Sequence, residues 1–149
     1  MPCVVVNRQR RLPLTASRVA RAADRALAAL GRPGGEVEIL FVADVEIRRL
    51  NATWRGVRRR TDVLAFPMET PGGGALVGQI VISRDTAARQ ARRIGVPLAV
   101  ELELLVTHGV LHLVGYDDRD PVEARLMHER ERDVLGSRAP TRLWTGLLA

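Results

Sequence analysis

The chain has 149 residues, of which 46% are hydrophobic and 27% are charged, and its mean hydropathy is −0.02. This length predicts one domain with one hydrophobic core, and the composition excludes disordered, collagen-like and membrane-spanning classes. The formal net charge is +6, from 23 arginines and no lysine against 17 acidic residues. The excess suits a polyanionic partner such as nucleic acid, although a preference for arginine throughout a genome would produce the same bias. Only 3% of residues are aromatic, so stacking of unpaired bases on aromatic side chains is not predicted.

The beginning of the chain and its cysteine content bear on the compartment. No apolar run approaches the roughly 20 residues needed to cross a bilayer, and the opening residues MPCV lack the pattern of a secretory signal. The single cysteine, Cys3, cannot form an intrachain disulfide and is expected to pack within the first strand. A cytoplasmic protein without a membrane partner is therefore expected.

Strand-like and helix-like spacings of apolar residues alternate along the chain. In chain order, the predicted elements are a strand at 4–7, a helix at 17–30, a strand at 36–43, a short helix capped by Asp44, strands at 61–68 and 76–83, and helices at 85–94, 97–114 and 121–135. The helix at 97–114 is apolar almost all round, which indicates a buried central helix. The alternation predicts an α+β or α/β layer with about four strands.

Two histidines on the predicted central helix form the most informative pattern. His108 and His112 are four residues apart, so their side chains lie on one face, one turn from each other, where two imidazoles can bind one metal ion. Gly115 is expected to adopt the left-handed conformation and end the helix, which lets the chain fold back and brings Asp118 within reach. An aspartate oxygen can bind zinc, and three protein ligands leave a fourth position for the water that a hydrolase activates.

The same polar residues also allow an interpretation without a metal. The two histidines would then be buried and hydrogen-bonded, and Asp117 and Asp118 would cap the last helix. Burying two imidazoles on an apolar helix is costly without partners, which favours the metal site. Glu101, two turns before the first histidine, is either a partner of that histidine or a carboxylate favoured by the helix dipole. His128, on the charged final helix, has no ligand spacing to the pair and is expected at the surface.

Three segments resemble a known family. Residues 108–117 (HGVLHLVGYD) resemble the H-G-x-L-H-L-x-G-Y-D-H signature of the YbeY family. Residues 50–67 (LNATWRGVRRRTDVLAFP) are similar to its L-N-x-x-Y-R-G-x-x-x-x-T-D-V-L-S-F-P, and residues 77–83 (VGQIVIS) to its L-G-D-I-x-I-S. The matched order and spacing run from about residue 50 to residue 135, which is more than half of the chain.

The resemblance implies a fold, an activity and a set of site residues. It implies a single α+β metallohydrolase domain over residues 1–149, in which a small mixed sheet of about four strands and several helices surround a buried metal-site helix. It implies a zinc-dependent endoribonuclease, specific for single strands, that acts in ribosomal RNA maturation at the 3′ end of small-subunit RNA and in ribosome quality control. The implied partners are ribosomal RNA and the ribosome or its small-subunit proteins. The expected catalytic residues are Arg55, His108 and His112, and the expected ligands of one divalent ion are His108, His112 and Asp118.

Several positions differ from the family's pattern or allow two interpretations. The family has a histidine where this chain has Asp118, and a carboxylate is expected to make a bound water less acidic and to shift metal preference toward manganese or iron. Asp117 is the alternative third ligand, and Gln79 stands where the family usually has aspartate. Arg55 matches an arginine of the family's basic groove near the metal, although arginine also suits a helix terminus. Arginines at 58–60 would contact phosphates or lie in a solvated loop.

Three classes of function compete at this point. The first is an RNA hydrolase, the second a zinc protease, and the third a non-catalytic RNA-binding or ribosome-assembly protein with a structural metal. Proteases with this histidine spacing need a glutamate directly after the first histidine as general base, and Gly109 occupies that place. The sequence therefore favours the RNA hydrolase.

Overall fold

A computed structural model of the chain describes residues 3–7, 16–32, 35–55, 63–68, 77–117 and 120–136, with the backbone alone at 3–7, 16, 17, 50–55, 68 and 77. The secondary-structure elements, in chain order, are β1 (Cys3–Asn7), α1 (Ala16–Ala29), β2 (Glu36–Val42), α2 (Asp44–Arg55), β3 (Val63–Met68), β4 (Val77–Ser83), α3 (Arg84–Ile94), α4 (Leu98–Leu113) and α5 (Pro121–Leu135). Every helix and strand predicted from hydrophobic spacing has a counterpart among them.

The four strands form one mixed sheet in the order β1-β2-β4-β3. β1 is parallel to β2 and β2 is parallel to β4, whereas β3 is antiparallel to β4. Helices connect the parallel strands, since parallel neighbours need long crossover connections. The expected α+β fold with a small mixed sheet is confirmed.

The sheet has a core on each face. Apolar residues that alternate along the strands, such as Ile39, Phe41 and Ile80, face α1 and α4 and form the larger core. Their neighbours on the other face, such as Leu40 and Val81, pack with Ile47 of α2. On the face of the larger core, α4 contacts β3 and β4 of the sheet and the helices α1, α3 and α5. The buried central helix predicted from the sequence is therefore confirmed.

Two glycines allow α4 to approach β4 closely. A Cβ atom on Gly109 would lie 2.8 Å from Cγ2 of Ile80, and a Cβ atom on Gly78 would lie 2.6 Å from Cδ2 of Leu113. Both distances are too short for real side chains, so the helix and strand pack at this separation only because these residues are glycines. The contact positions the C-terminal half of α4, which carries both predicted ligands.

The ends of the helices explain small differences from the predicted bounds. Pro97, predicted as the first residue of the central helix, is its N-cap, with an extended ψ of 145°. Asp44 is the first residue of α2, and its carboxylate accepts hydrogen bonds from α3 rather than capping its own helix. No single helix among the described residues is long and apolar enough to cross a membrane, and α3 and α4 meet at a bend of 119°.

Candidate metal centre

The two predicted ligands of α4 converge on one point. The Nε2 atoms of His108 and His112 are 3.0 Å apart, and the centroids of their rings are 4.6 Å apart at an interplanar angle of 83°. Both residues are half-buried, although the rest of the helix around them is mostly buried. The helical spacing of four residues therefore brings two ring nitrogens together, as predicted.

The second nitrogen of each ring determines what the first can do. Nδ1 of His112 is 3.0 Å from the carbonyl oxygen of Tyr116, which can only accept, so Nδ1 carries the proton. Nδ1 of His108 is 2.9 Å from Oε1 of Glu131. Burial raises the pKa of the Glu131 carboxyl, but hydrogen bonds and charge from His108 and His128 outweigh burial and hold that pKa below its usual range. The carboxylate is therefore ionised and accepts the Nδ1 proton of His108.

These tautomers leave two lone pairs facing each other. A neutral imidazole with its proton on Nδ1 presents an unprotonated Nε2, and here two such atoms are 3.0 Å apart. Their repulsion is relieved by a cation placed between them. Two nitrogens bound to one tetrahedral zinc ion at its usual bond lengths are separated by about 3.3 Å, so a shift of a few tenths of an ångström would admit the ion. The pair His108 and His112 fits a divalent metal.

The third predicted ligand cannot be placed with the pair. Asp118 lies outside the described residues, and Asp117, the alternative, is described and half-buried. The turn that leads to both has the predicted geometry, since Gly115 has a φ of +107°. Tyr116 N–H donates to the carbonyl of Leu111 at 3.0 Å, which closes the end of α4 and returns the chain toward the histidines.

A neighbouring group lies on α5 and was missed by the sequence analysis. Glu131 is completely buried, and its Oε1 is 2.9 Å from Nδ1 of both His108 and His128. The expectation that His128 lies at the surface is wrong: its side chain is 16% exposed, and its ring lies 6.2 Å from that of His108. Met127, Glu131 and Leu135 form the buried stripe of α5. Their spacing of four residues is visible in the sequence, but Glu131 is one of many charged residues on this helix, so the spacing did not single it out as buried.

His108, His128 and Glu131 also form a second candidate ligand group. One atom from each lies within 4.8 Å of the others. An ion there would bind Glu131, whose Oε1 already lies 2.9 Å from Nδ1 of His108. That distance is the usual length of a hydrogen bond to a carboxylate. The two Nε2 atoms of His108 and His112, in contrast, cannot hydrogen-bond to each other when both imidazoles are neutral and carry their protons on Nδ1.

The structure describes some of the remaining predicted residues. Arg55 is the last residue of α2, its side chain is not described, and the arginines at 58–60 lie outside the described residues. Glu101 is buried in the first turn of α4, and Glu131 of α5 supplies a carboxylate that contacts His108. Gln79 is on the sheet face away from α4, where its Nε2 donates to Oε1 of Glu38 at 2.6 Å.

Comparison with known proteins supports the resemblance noted from the motifs. The family model described as "Endoribonuclease YbeY" matches residues 5–138. A protein of that name from Anaeromyxobacter dehalogenans is 52% identical over 109 residues, which span 72% of this chain but only 56% of that protein. A second, from Geobacter metallireducens, is 39% identical over 140 residues, or 90% of this chain and 93% of the relative.

A solved structure shows the same fold. The solution structure of a Thermotoga maritima protein superposes with a TM-score of 0.58 at 22% sequence identity, covering 97% of this chain and 90% of that one. At this identity the likeness bears on the fold alone. The match of the family model over residues 5–138, together with the Geobacter relative, shows that the chain belongs to the YbeY family.

Proposed function

We propose that the chain is a metal-dependent endoribonuclease that hydrolyses phosphodiester bonds of single-stranded ribosomal RNA. The observation that carries the metal dependence is the pair of Nε2 atoms of His108 and His112, 3.0 Å apart, with both Nδ1 atoms engaged elsewhere. The RNA substrate is supported by the name "Endoribonuclease YbeY" that the family's relatives carry and by the net charge of +6. The proposal also includes roles in maturation of the 3′ end of small-subunit ribosomal RNA and in ribosome quality control. It further includes contacts with small-subunit proteins and a cytoplasmic location.

His108 and His112 would hold one divalent ion, zinc in the first instance, together with Asp118 or its alternative Asp117. A bound ion supplies Lewis acidity, which stabilises negative charge on a phosphoryl oxygen and lowers the pKa of a water molecule. The protein's own part is to keep both imidazoles neutral, with Nε2 directed to the ion. The Tyr116 carbonyl would do so for His112 by accepting its Nδ1 proton, and the Glu131 carboxylate lies 2.9 Å from the corresponding atom of His108.

Arg55 would contribute the second positive charge of the site. It ends α2, and the block from 50 to 67 that contains it resembles the family's basic groove. A guanidinium can hold two oxygens of a phosphate at once, which positions the scissile group and neutralises charge as it develops. Together with His108 and His112, Arg55 completes the proposed catalytic set.

Two other classes are weaker. A zinc protease of this spacing needs a glutamate at position 109, where even a Cβ atom would lie 2.8 Å from the Ile80 side chain. A structural metal in a non-catalytic assembly protein predicts bound ion without cleavage. An ion bound instead by His108, His128 and Glu131 would have to bind the Glu131 carboxylate, which already lies at hydrogen-bond distance from Nδ1 of His108.

Two matched histidine variants separate these possibilities. The metal content of the purified protein would be measured together with cleavage of a single-stranded ribosomal RNA fragment, before and after chelation, with casein as a protease control. We expect His112→Ala to lose stoichiometric metal and cleavage, because few ligands then remain, and His128→Ala to keep stoichiometric metal and to lose less cleavage than His112→Ala. The reverse order would assign the metal to the group on α5. Metal-loaded protein that leaves RNA intact would support the assembly role, and casein cleavage would support the protease.

A further inference from the structure

Glu131 occupies an unusual position for a carboxylate. It lies on α5, is fully buried, and accepts hydrogen bonds from two imidazoles, at 2.9 Å from Nδ1 of His108 and 2.9 Å from Nδ1 of His128. Its other oxygen, Oε2, is 3.1 Å from the same nitrogen of His128. A buried ionised group is costly unless it is well hydrogen-bonded, so this arrangement is held in place by both donors.

The hydrogen bond between Glu131 and His108 bears on whether both Nε2 lone pairs of the histidine pair are available to a metal ion. With the proton on Nδ1, the Nε2 lone pair of His108 faces that of His112, and neither ring can donate to the other. With the proton on Nε2, His108 would donate to Nε2 of His112 across the same 3.0 Å and satisfy both nitrogens without an ion. The Tyr116 carbonyl already holds the proton of His112 on Nδ1, so the tautomer of His108 determines which of these two arrangements the pair of rings adopts.

A carboxylate meets this requirement better than an amide of the same size. The Oε1 position accepts from both histidines, and the Oε2 position lies 3.1 Å from the Nδ1 proton of His128. A glutamine placed here would bring an NH₂ group against one of the two N–H donors. It would also remove the negative charge that holds the Nδ1 proton of His108.

We propose that Glu131 is a positioning residue of the metal centre: it holds His108 in the Nδ1-protonated tautomer, which prevents the two ligand imidazoles from hydrogen-bonding to each other, while His128 holds the Glu131 side chain in place. The inference deepens the proposed function and depends on it for its relevance to metal binding. It assigns to α5 a part in the site that the ligand spacing on α4 does not reveal.

The test compares Glu131→Gln with Glu103→Gln as a matched control. Glu103 is also a buried carboxylate, but it lies on α4 and pairs with Arg18 of α1 at 3.1 Å, away from the histidines. Nitrogen-15 spectra of the imidazoles would identify the tautomer of His108 in metal-free protein, at a pH where histidine is neutral. Competition with a chromophoric chelator would measure zinc affinity.

We expect His108 to carry its proton on Nδ1 in the unaltered protein and to shift toward Nε2 in Glu131→Gln. Zinc affinity should fall by about 10- to 100-fold in that variant, the usual effect of removing a hydrogen-bond partner of a metal ligand. Glu103→Gln should change neither measurement, even if it lowers the melting temperature. A general loss of stability would not move the tautomer of one histidine, so the spectra separate positioning from folding.

The outcomes distinguish this inference from the proposed function. An Nε2-protonated His108 in the unaltered protein would overturn the inference, and this measurement needs no variant, so it stands even if Glu131→Gln fails to fold. A folded Glu131→Gln protein with unchanged tautomer and zinc affinity would also overturn it. If the tautomer responds to Glu131→Gln but the unaltered protein binds no ion, the proposed metal dependence fails while the positioning of His108 by Glu131 holds.

Discussion

Asp44 joins the first turn of α2 to the first turn of α3, and it supports a quantitative prediction. Its carboxylate accepts hydrogen bonds from the hydroxyl of Ser83, from Oγ1 of Thr86 at 2.6 Å and from Nη2 of Arg89 at 2.7 Å. Burial raises the pKa of Asp44, but the hydrogen bonds from Ser83, Thr86 and Arg89, with the charge of Arg89, outweigh burial and lower the pKa from 3.8 to about 2. We expect Asp44→Asn to weaken this junction.

The magnitude follows from the pKa shift. A shift from 3.8 to about 2 corresponds to about 2 kcal/mol of folding free energy at neutral pH, an upper value because the Asp44 side chain is 23% exposed. The folded pKa is below the unfolded one, so this stability is fully present above about pH 4 and is lost as the pH falls through about 2. The asparagine variant has no such group to protonate.

Chemical denaturation at several pH values tests the prediction. Asp44→Asn should unfold about 2 kcal/mol more easily than the unaltered protein at pH 7, and the difference should shrink toward pH 2. Asp133→Asn is a suitable control, because Asp133 is 67% exposed and its 3.6 Å pair with Arg130 is a surface ion pair of little value. Equal stability of Asp44→Asn and the unaltered protein at pH 7, or a difference that does not change with pH, would refute the reasoning.

Three further predictions concern the metal centre and its support. Gly109→Ala should destabilise the protein by about 1–3 kcal/mol in thermal denaturation, because the new Cβ atom overlaps Ile80. A melting temperature equal to that of the unaltered protein would exclude the close packing of α4 on β4. Asp118→Asn should lower zinc affinity in chelator competition far more than Asp117→Asn, because only replacement of the true ligand removes a negative charge that contacts the ion. Equal losses in the two variants would leave the third ligand unassigned. Arg55→Ala should leave metal content and melting temperature unchanged while lowering RNA cleavage, and unchanged cleavage and RNA affinity would remove Arg55 from the site.

Local features of this protein were predictable because they depend on residues near each other in the chain. His108 and His112 face the same point because a helix places residues four apart on one face. Gly115 ends the helix with a positive φ because glycine lacks the Cβ atom that disfavours this conformation. The apolar circumference of α4 likewise indicated that the helix is buried, and it contacts the sheet and three other helices.

Features that join distant segments were decided only by the tertiary structure. Strand order is one, since β4 lies between β2 and β3 and the hydrophobic pattern of a strand carries no information about its neighbour. Gly109 is another: in the sequence it indicated a missing general base, whereas in the fold it lets α4 approach Ile80.

The contact between α4 and α5 has the greatest consequence for the site. Glu131 is 23 residues from His108 in the chain, and its 2.9 Å hydrogen bond to that histidine exists only because α5 packs against α4 with Glu131 on its buried face. The sequence by itself determined which two nitrogens can meet on one helix face, because helical geometry is local. Their protonation depends on packing between helices, which spacing along the chain does not encode.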